Sequence, residues 1–170
     1  MNEGSLVPAP PGRLLVFRVG ALACAAEVDQ VREILPRLPT TRIPGAPPVV
    51  AGLVNVRGTL VTVVEGWRAL GQDPSPASPT AGPSVPASIS EPALGSTIIF
   101  EVAKEGNDRK MIGFTVDEVM DMLAAGDTTL EDRKTLPGVD PTLVRAVGRR
   151  NGAVFIVLDV AALLGPILTT

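Results

Sequence analysis

An internal duplication is the feature that most constrains this chain. The octapeptide VDQVREIL at residues 28–35 matches VDEVMDML at residues 116–123, with the same Val, Asp, Val and Leu at four places. A second match follows in the same order, because residues 50–71 align with residues 144–165 through a turn glycine, a strand valine and a closing Leu-Gly. Two matches in one order, at similar offsets, predict two copies of one small structural unit.

Each copy is rich in short apolar strands. The stretch VVAGLVNVRGTLVTVVEGWR at residues 49–68 reads as a strand, an Arg57-Gly58 turn and a second strand at residues 59–64. Because both arms are apolar, at least one face of this hairpin must be covered. The other predicted elements are strands at residues 14–19, 22–27, 38–43, 97–102 and 110–115, and a helical turn at residues 65–70. About five short strands per copy favour a small closed or nearly closed barrel.

The duplicated octapeptide is predicted to form a short helix in each copy. In residues 28–35 the apolar side chains fall on one helical face and the polar ones on the other. In residues 116–123 the same reading places Asp117, Glu118 and Asp121 on a solvated helix face, which is favoured over a metal or general-acid site.

Composition divides the chain into segments. Residues 1–12 read as a disordered arm. Residues 72–96 hold six prolines among Ser, Ala, Gly and Thr, a composition that cannot bury enough apolar surface to offset the entropy of ordering it. We therefore expect a flexible linker or long exposed loop there, between a first barrel subdomain at residues 13–71 and a second at residues 97–168.

Several classes of chemistry are excluded by composition. The chain has no histidine, which removes Ser-His and Cys-His nucleophile pairs and histidine metal sites. The single cysteine, Cys24, cannot form an internal disulfide and is expected to be a buried strand residue. A net charge of -3 and only 3% aromatic residues argue against a nucleic-acid surface. We expect no catalytic residue, cofactor or metal.

The first residues do not resemble a secretion signal, because Glu3 replaces the usual basic start and prolines and glycines follow. The longest apolar run, residues 153–164, is interrupted by Asp159 and is shorter than the roughly 20 residues that span a bilayer. We expect a cytoplasmic protein without direct membrane insertion.

The two hairpins differ at their turns. The second copy has Asn151-Gly152, a pair suited to the positive φ angles of a tight two-residue turn. The first has Arg57-Gly58, and arginine is less suited to that conformation. Either this turn is of another type and Arg57 points to water, or something other than turn geometry keeps an arginine there.

Several segments resemble a known family. VREI at residues 31–34, TRIPGAPP at residues 41–48 and GLVNVRGTLVTVV at residues 52–64 are similar to the CheW family of bacterial chemotaxis coupling proteins and to the matching regulatory domain of the chemotaxis histidine kinase. GFTVDEVMDML and VFIVLDVAALL resemble the second half of that family. The resemblance covers most of residues 14–165. It implies a mostly β fold of two tandem SH3-like five-stranded barrels with short helices.

The resemblance also implies a function and partners. A family member is a non-catalytic adaptor that couples the cytoplasmic tip of a methyl-accepting chemoreceptor to the kinase regulatory domain, within membrane receptor arrays and in ring-like assemblies with the kinase. The family's groove glutamate and turn arginine correspond to Glu33 and Arg57. The predicted receptor-binding residues are Val31, Glu33, Ile34, Val54, Asn55, Arg57, Val116 and Val119.

Two alternatives remain open at the level of sequence. Glu33 and Arg57 could form only an exposed ion pair, which contributes about 0 to 1 kcal/mol. The chain could also be a small-molecule- or peptide-sensing regulatory domain of a divergent pathway, with a pocket between the barrels. It departs from the family where Glu65 and Gly66 replace the usual aspartate and leucine, with Trp67 following them, and in the length of the Pro-rich segment.

Overall fold

The computed structural model describes residues 12–72, 95–103, 109–124, 129–132, 139–150 and 152–168. The predicted arm at residues 1–12 and the predicted linker at residues 72–96 therefore lie almost wholly outside the described residues. The described strands are β1 Arg13–Val19, β2 Leu22–Glu27, β3 Val31–Pro36, β4 Val50–Val56, β5 Thr59–Val64, β6 Ser96–Ala103, β7 Arg109–Val116, β8 Glu118–Ala124, β9 Thr129–Asp132, β10 Val144–Arg150 and β11 Ala153–Leu158. The helices are α1 Gly66–Ala69 and α2 Val160–Leu168, with 3-10 turns at Val28–Gln30 and Pro141–Leu143.

These strands form two sheets, with the orders β3-β6-β7-β5-β4 and β8-β1-β2-β11-β10-β9. The prediction of a mostly β chain with two SH3-like units is confirmed, although one sheet has six described strands instead of the five expected. Each sheet takes strands from both copies of the repeat, because β5 pairs in parallel with β7 and β2 pairs in parallel with β11. The sheets therefore do not follow the division of the chain into residues 13–71 and 97–168.

Each sheet curls around a small apolar core of its own. One core contains Val54, Val61, Val63 and Ile99, all from the five-stranded sheet. The other contains Leu14, Val16, Ala25, Leu123, Leu130, Ala146, Phe155 and Val157, all from the six-stranded sheet. Residues that alternate with these, such as Leu15 and Phe17 on β1, face the opposite sheet. The inner strands are apolar on both faces because both faces are covered.

The largest core lies between the two sheets. At its centre Phe114 makes edge-to-face contacts with Phe17 and Phe100, with ring centroids 6.1 and 6.0 Å apart. All three rings are fully buried. Side chains of α2, including Leu163 and Leu164, close one side of this core. Burial of this shared apolar surface, which stabilises by about 25 cal/mol per Å², joins the two sheets into one packed unit.

The predicted helices at residues 28–35 and 116–123 are wrong. The first segment is a 3-10 turn followed by β3, which pairs with β6, and the second begins at the end of β7 and continues as β8, which pairs with β1. A two-turn helix is marginal in water, whereas a strand beside an existing sheet satisfies its backbone hydrogen bonds in a ladder. Pairing with a distant strand decided the outcome.

The acidic residues of the second octapeptide are also placed differently from the prediction. Glu118 and Asp121 are exposed, but on a strand. The Asp117 side chain is only 4% exposed, and it lies 3.7 Å from Arg18. Its carboxylate accepts a hydrogen bond from the Gly20 backbone N–H at 2.6 Å. Asp117 therefore ties β8 to the β1–β2 turn.

The predicted strand at residues 38–43 is also wrong, because only Thr41 forms a bridge, with Leu53. Pro39 and Pro44 flank that bridge and cannot donate ladder hydrogen bonds. The remaining predicted strands and the helical turn at residues 65–70 are confirmed within a residue or two. In the described part of the chain, no helix has the length and apolarity needed to cross a membrane.

Candidate functional site

The β4–β5 turn holds Arg57 in an unusual backbone conformation. Its φ is 52° and that of Gly58 is 85°, as a tight turn of the hairpin type requires. The Asn55 side chain accepts a hydrogen bond from the Gly58 N–H at 2.7 Å. The interpretation that another turn type accommodates Arg57 is therefore wrong, and Arg57 occupies a position that L-residues with long side chains rarely adopt.

Arg57 pairs with Glu33 across the five-stranded sheet. Its Nη1 lies 2.8 Å from Glu33 Oε2, and the two side chains are 79% and 19% exposed. Glu33 is on β3 and Arg57 follows β4, and these strands are the two opposite edges of the sheet. The ion pair thus links the edges where the sheet curls to meet itself. Since Arg57 is largely exposed, we expect a contribution of about 1 kcal/mol or less.

A second feature is the exposed margin of the core between the two sheets, which we call the crevice. It is flanked by β3, an edge of one sheet, and β8, an edge of the other. At one end, Asp29, which precedes β3, is close to Gly12, which precedes β1. Arg13, the first residue of β1, pairs with Ala124, the last residue of β8. At the other end, a Cβ atom on Gly95 would lie 3.7 Å from Arg37 Nη1 and 3.7 Å from the backbone oxygen of Asp117. Arg37 follows β3 and Asp117 precedes β8. Residues next to both ends of β3 are therefore close to residues next to the ends of β8 or its partner β1.

The crevice is lined by Val31, Ile34, Val119 and Met122. Val31 and Val119 are partly buried and pack on the core between the sheets. Ile34 is 41% exposed and Met122 is 45% exposed. Ile34 pairs across the sheet with Ile98, and Met122 pairs with Leu15, and both partners belong to that core. Paired residues share a face of the sheet, so Ile34 and Met122 lie on the core side of their strands. The crevice therefore has an apolar floor with exposed apolar side chains on both flanks.

Comparison with known proteins identifies the family. A model of the CheW-like domain matches residues 13–166. This chain belongs to the CheW-like family. The family predicted from the sequence motifs is thereby confirmed.

Two curated CheW-like relatives are the probable chemotaxis protein CheW of Rhizobium etli and the chemotaxis protein CheW of Rhizobium meliloti. Each is 29% identical over 118 residues, which cover 69% of this chain and 64% of the relative. The match thus spans less than two thirds of the relatives' length. The crystal structure of scaffolding protein TtCheW from Thermoanaerobacter tengcongensis matches with a TM-score of 0.67 and 18% identity, over 88% of this chain and 90% of the other, and shows the same fold.

The structure brings together only some of the predicted receptor-binding residues of this CheW-like chain. Val31, Ile34 and Val119 line the crevice, whereas Glu33, Asn55 and Arg57 lie around the turn at the rim of the five-stranded sheet. Val54 and Val116 are core residues, 8% and 2% exposed. They support the strands and are not presented at the surface.

Sequence reasoning missed four exposed apolar residues. Met120 and Met122, which are 52% and 45% exposed, lie in the segment that the sequence predicts as a helix. Leu60 and Val154, which are 67% and 48% exposed, occupy equivalent positions two residues after the turn glycines of the duplicated hairpins. Aligning the sequences of the two copies would have indicated this pair, because an apolar residue next to a tight turn in both copies is unexpected on a solvated hairpin.

The titratable groups with clear pKa shifts are not among the crevice residues. Burial raises the pKa of the Cys24 thiol to about 12, so Cys24 is a neutral core side chain, as the sequence predicted. Hydrogen bonds from the Thr142 backbone N–H and hydroxyl lower the pKa of Asp140, which is exposed beside a 3-10 turn. Within the described ranges, no group of three or more Cys, Asp or Glu is arranged to hold a metal ion.

Two substitutions at Arg57 separate turn strain from ion pairing. We expect Arg57→Asn, which copies the turn of the second hairpin, to change the free energy of unfolding by less than about 1 kcal/mol, because relief of φ strain offsets the lost ion pair. Arg57→Glu keeps the strain and places two carboxylates together, so we expect it to be the less stable variant. Urea denaturation followed by Trp67 fluorescence measures both. A loss above about 2 kcal/mol in Arg57→Asn would contradict the assignment of a weak surface pair.

Proposed function

We propose that this CheW-like chain is a non-catalytic adaptor that couples the cytoplasmic tip of a chemoreceptor to the regulatory domain of a chemotaxis-type histidine kinase in receptor arrays. The observation that carries the proposal is the crevice, in which edge strands from two different sheets expose apolar side chains along its length. Family membership supplies the kind of partner.

The length of the crevice suits a helix. β3 has six residues, and at about 3.3 Å per residue it is roughly 20 Å long. A helix of about 13 residues has that length. An amphipathic helix binds such a groove through apolar residues on one face. The tip of a chemoreceptor is a helical hairpin, so its apolar face would occupy the crevice while Glu33 and Arg57 offer charged contacts at the neighbouring rim.

A different surface is proposed for the kinase. The kinase regulatory domain resembles CheW, so it is expected to carry the same two hairpins. Leu60 and Val154 mark the equivalent exposed apolar points on the hairpins of this chain. Contact between unlike hairpins of two such proteins leaves one hairpin free on each, and repeated contacts of this head-to-tail kind generate rings when the rotation closes.

Binding measurements with purified partners test the proposal. A receptor-tip hairpin and a kinase regulatory domain should each bind the protein in calorimetric titrations, and the two together should form a ternary complex. Arg57→Glu should weaken receptor binding while leaving the fold intact. Equal receptor binding by the wild type and this variant would remove Arg57 from the site, whereas failure to bind either partner would overturn the adaptor assignment.

The alternative, a ligand-sensing domain with a pocket between the barrels, makes a different prediction. A small ligand would raise the melting temperature in the absence of any kinase binding. A cavity lined by residues between 40 and 68 lies within the first copy of the repeat, so it is not the pocket between barrels that this alternative needs. We therefore retain the adaptor as the function that the geometry supports best.

A further inference from the structure

A cavity of about 460 Å³ lies at the side of the five-stranded sheet, between the loop that follows β3 and helix α1. Its walls include Arg42, Pro47, Pro48, Trp67 and Arg68. We call it the Trp67 cavity. Its volume falls within the roughly 300 to 1,000 Å³ typical of small-molecule sites, and no residue of the crevice or of the Arg57 turn lines it.

The charged groups of the Trp67 cavity leave it cationic. Its one carboxylate, Glu65, already accepts bonds from Arg37 at 2.8 Å, from Trp67 Nε1 at 3.1 Å and from the Thr115 hydroxyl at 3.3 Å. Among the described residues, neither Arg42 nor Arg68 has a carboxylate partner. Two arginines thus line a cavity whose one carboxylate already accepts three hydrogen bonds from other groups, although the net charge of the chain is -3.

An aromatic surface accompanies these charges. Arg68 Cζ lies 4.6 Å from the centroid of the Trp67 ring, within the range of a cation–π contact. Trp67 itself is partly buried and rests on the core between the sheets. The indole ring is held in place by the core residues on which it packs and by the hydrogen bond that its Nε1 donates to Glu65. A planar group entering the cavity would therefore meet an indole and a guanidinium whose positions are already set.

The walls are held rigidly. Thr41 and Leu53 exchange two backbone hydrogen bonds of 2.8 Å, and the Val50 N–H donates to Pro47 O at 2.9 Å. On the other wall, a Cβ atom on Gly66 would lie only 2.1 Å from the Thr115 oxygen, so this glycine lets α1 lie directly on β7. Preformed walls lower the ordering cost that a ligand must overcome.

We propose that the Trp67 cavity binds a small anion that carries a planar ring. Its carboxylate or phosphate forms a charge-assisted bond with Arg42, and the ring packs against Trp67 and Arg68. A nucleoside monophosphate and an aromatic carboxylate share this chemistry. The site is separate from the crevice, so ligand binding and adaptor activity can be tested independently.

The single tryptophan of the chain makes the test direct. Because Trp67 is the only tryptophan and tyrosine is absent, tryptophan fluorescence reports on this cavity alone. The probes are adenosine monophosphate and phenylacetate, with adenosine and inorganic phosphate as the ring and the anion alone. We expect a saturable change with at least one ring-bearing anion, with about tenfold or greater weakening for its isolated parts. The probe that binds more tightly identifies the source of the ligand.

Matched arginine variants locate the effect. Arg42→Gln should weaken binding by about tenfold or more, with an unchanged urea midpoint, since Arg42 is exposed. Arg109→Gln, the control, removes an arginine that is 72% exposed and paired with Glu101 outside the cavity, and it should bind as the wild type does.

Four outcomes would overturn the proposal. The first is the absence of saturation by either ring-bearing anion at about 10 mM. The second is equal binding of adenosine or phosphate alone. The third is wild-type affinity in Arg42→Gln. The fourth is tighter binding of a short acidic peptide than of either small anion, which would make the cavity a peptide-docking site.

Discussion

Phe114→Ala is expected to lower the free energy of unfolding by about 3–5 kcal/mol, the range for truncating a buried phenylalanine. Phe114 is fully buried and contacts Phe17 and Phe100 at the centre of the core between the sheets. The cavity left behind would loosen both sheets, because each contributes residues to that core. Domains of ordinary stability have about 5–15 kcal/mol in total, so the variant should be close to unfolding. Urea denaturation with fluorescence detection measures the loss.

Two further variants control this prediction. Phe114→Leu removes fewer carbon atoms and should cost less than the alanine variant. Leu60→Ala, at a position that is 67% exposed, should change stability by no more than about 0.5 kcal/mol. If Phe114→Ala costs less than about 1 kcal/mol, the core between the sheets does not join them in the way described.

Ile34→Asp is expected to weaken binding of the chemoreceptor tip by about 30- to 1,000-fold, which corresponds to about 2–4 kcal/mol for a central interface residue. The reason is that the carboxylate would be desolvated against an apolar helix face. The residue is 41% exposed in the free protein, so the fold should tolerate the change. Met122→Asp, on the opposite flank, should act in the same direction. Calorimetric titration of the receptor-tip hairpin into each variant gives the affinities.

Val154→Asp is the matched control for these crevice variants. It places the same charge at an exposed apolar position on the second hairpin, away from the crevice and from the Arg57 turn. We expect unchanged receptor affinity and weakened binding of the kinase regulatory domain. Wild-type receptor affinity in both Ile34→Asp and Met122→Asp would show that the receptor binds elsewhere.

Hairpins and turns were predictable because their signals are local. The β4–β5 hairpin carries its turn and its strand residues within about 20 consecutive positions of sequence, and its register depends on that turn. The second hairpin follows from the repeat. The family could be identified for the same reason, since its motifs are short strings around these hairpins.

The site was only partly predictable. Val54 and Val116 look no different in sequence from Val31 and Val119, since all four are valines in or beside apolar strands. Their burial differs because Val54 faces the inside of one curled sheet and Val116 the core between the sheets, whereas Val31 and Val119 pack against that core and are only partly buried. Burial depends on which element covers a face, and that element is distant in sequence.

The sequence by itself therefore determined the two hairpins, the position of the Arg57-Gly58 turn, the repeat and the family. Tertiary structure alone decided that both octapeptides extend as strands, that each sheet draws on both copies of the repeat, and that the crevice and the Trp67 cavity exist. The physical reason is the range of the interactions. Turn geometry depends on neighbouring residues, but an edge strand gains its hydrogen bonds and apolar cover from partners far along the chain.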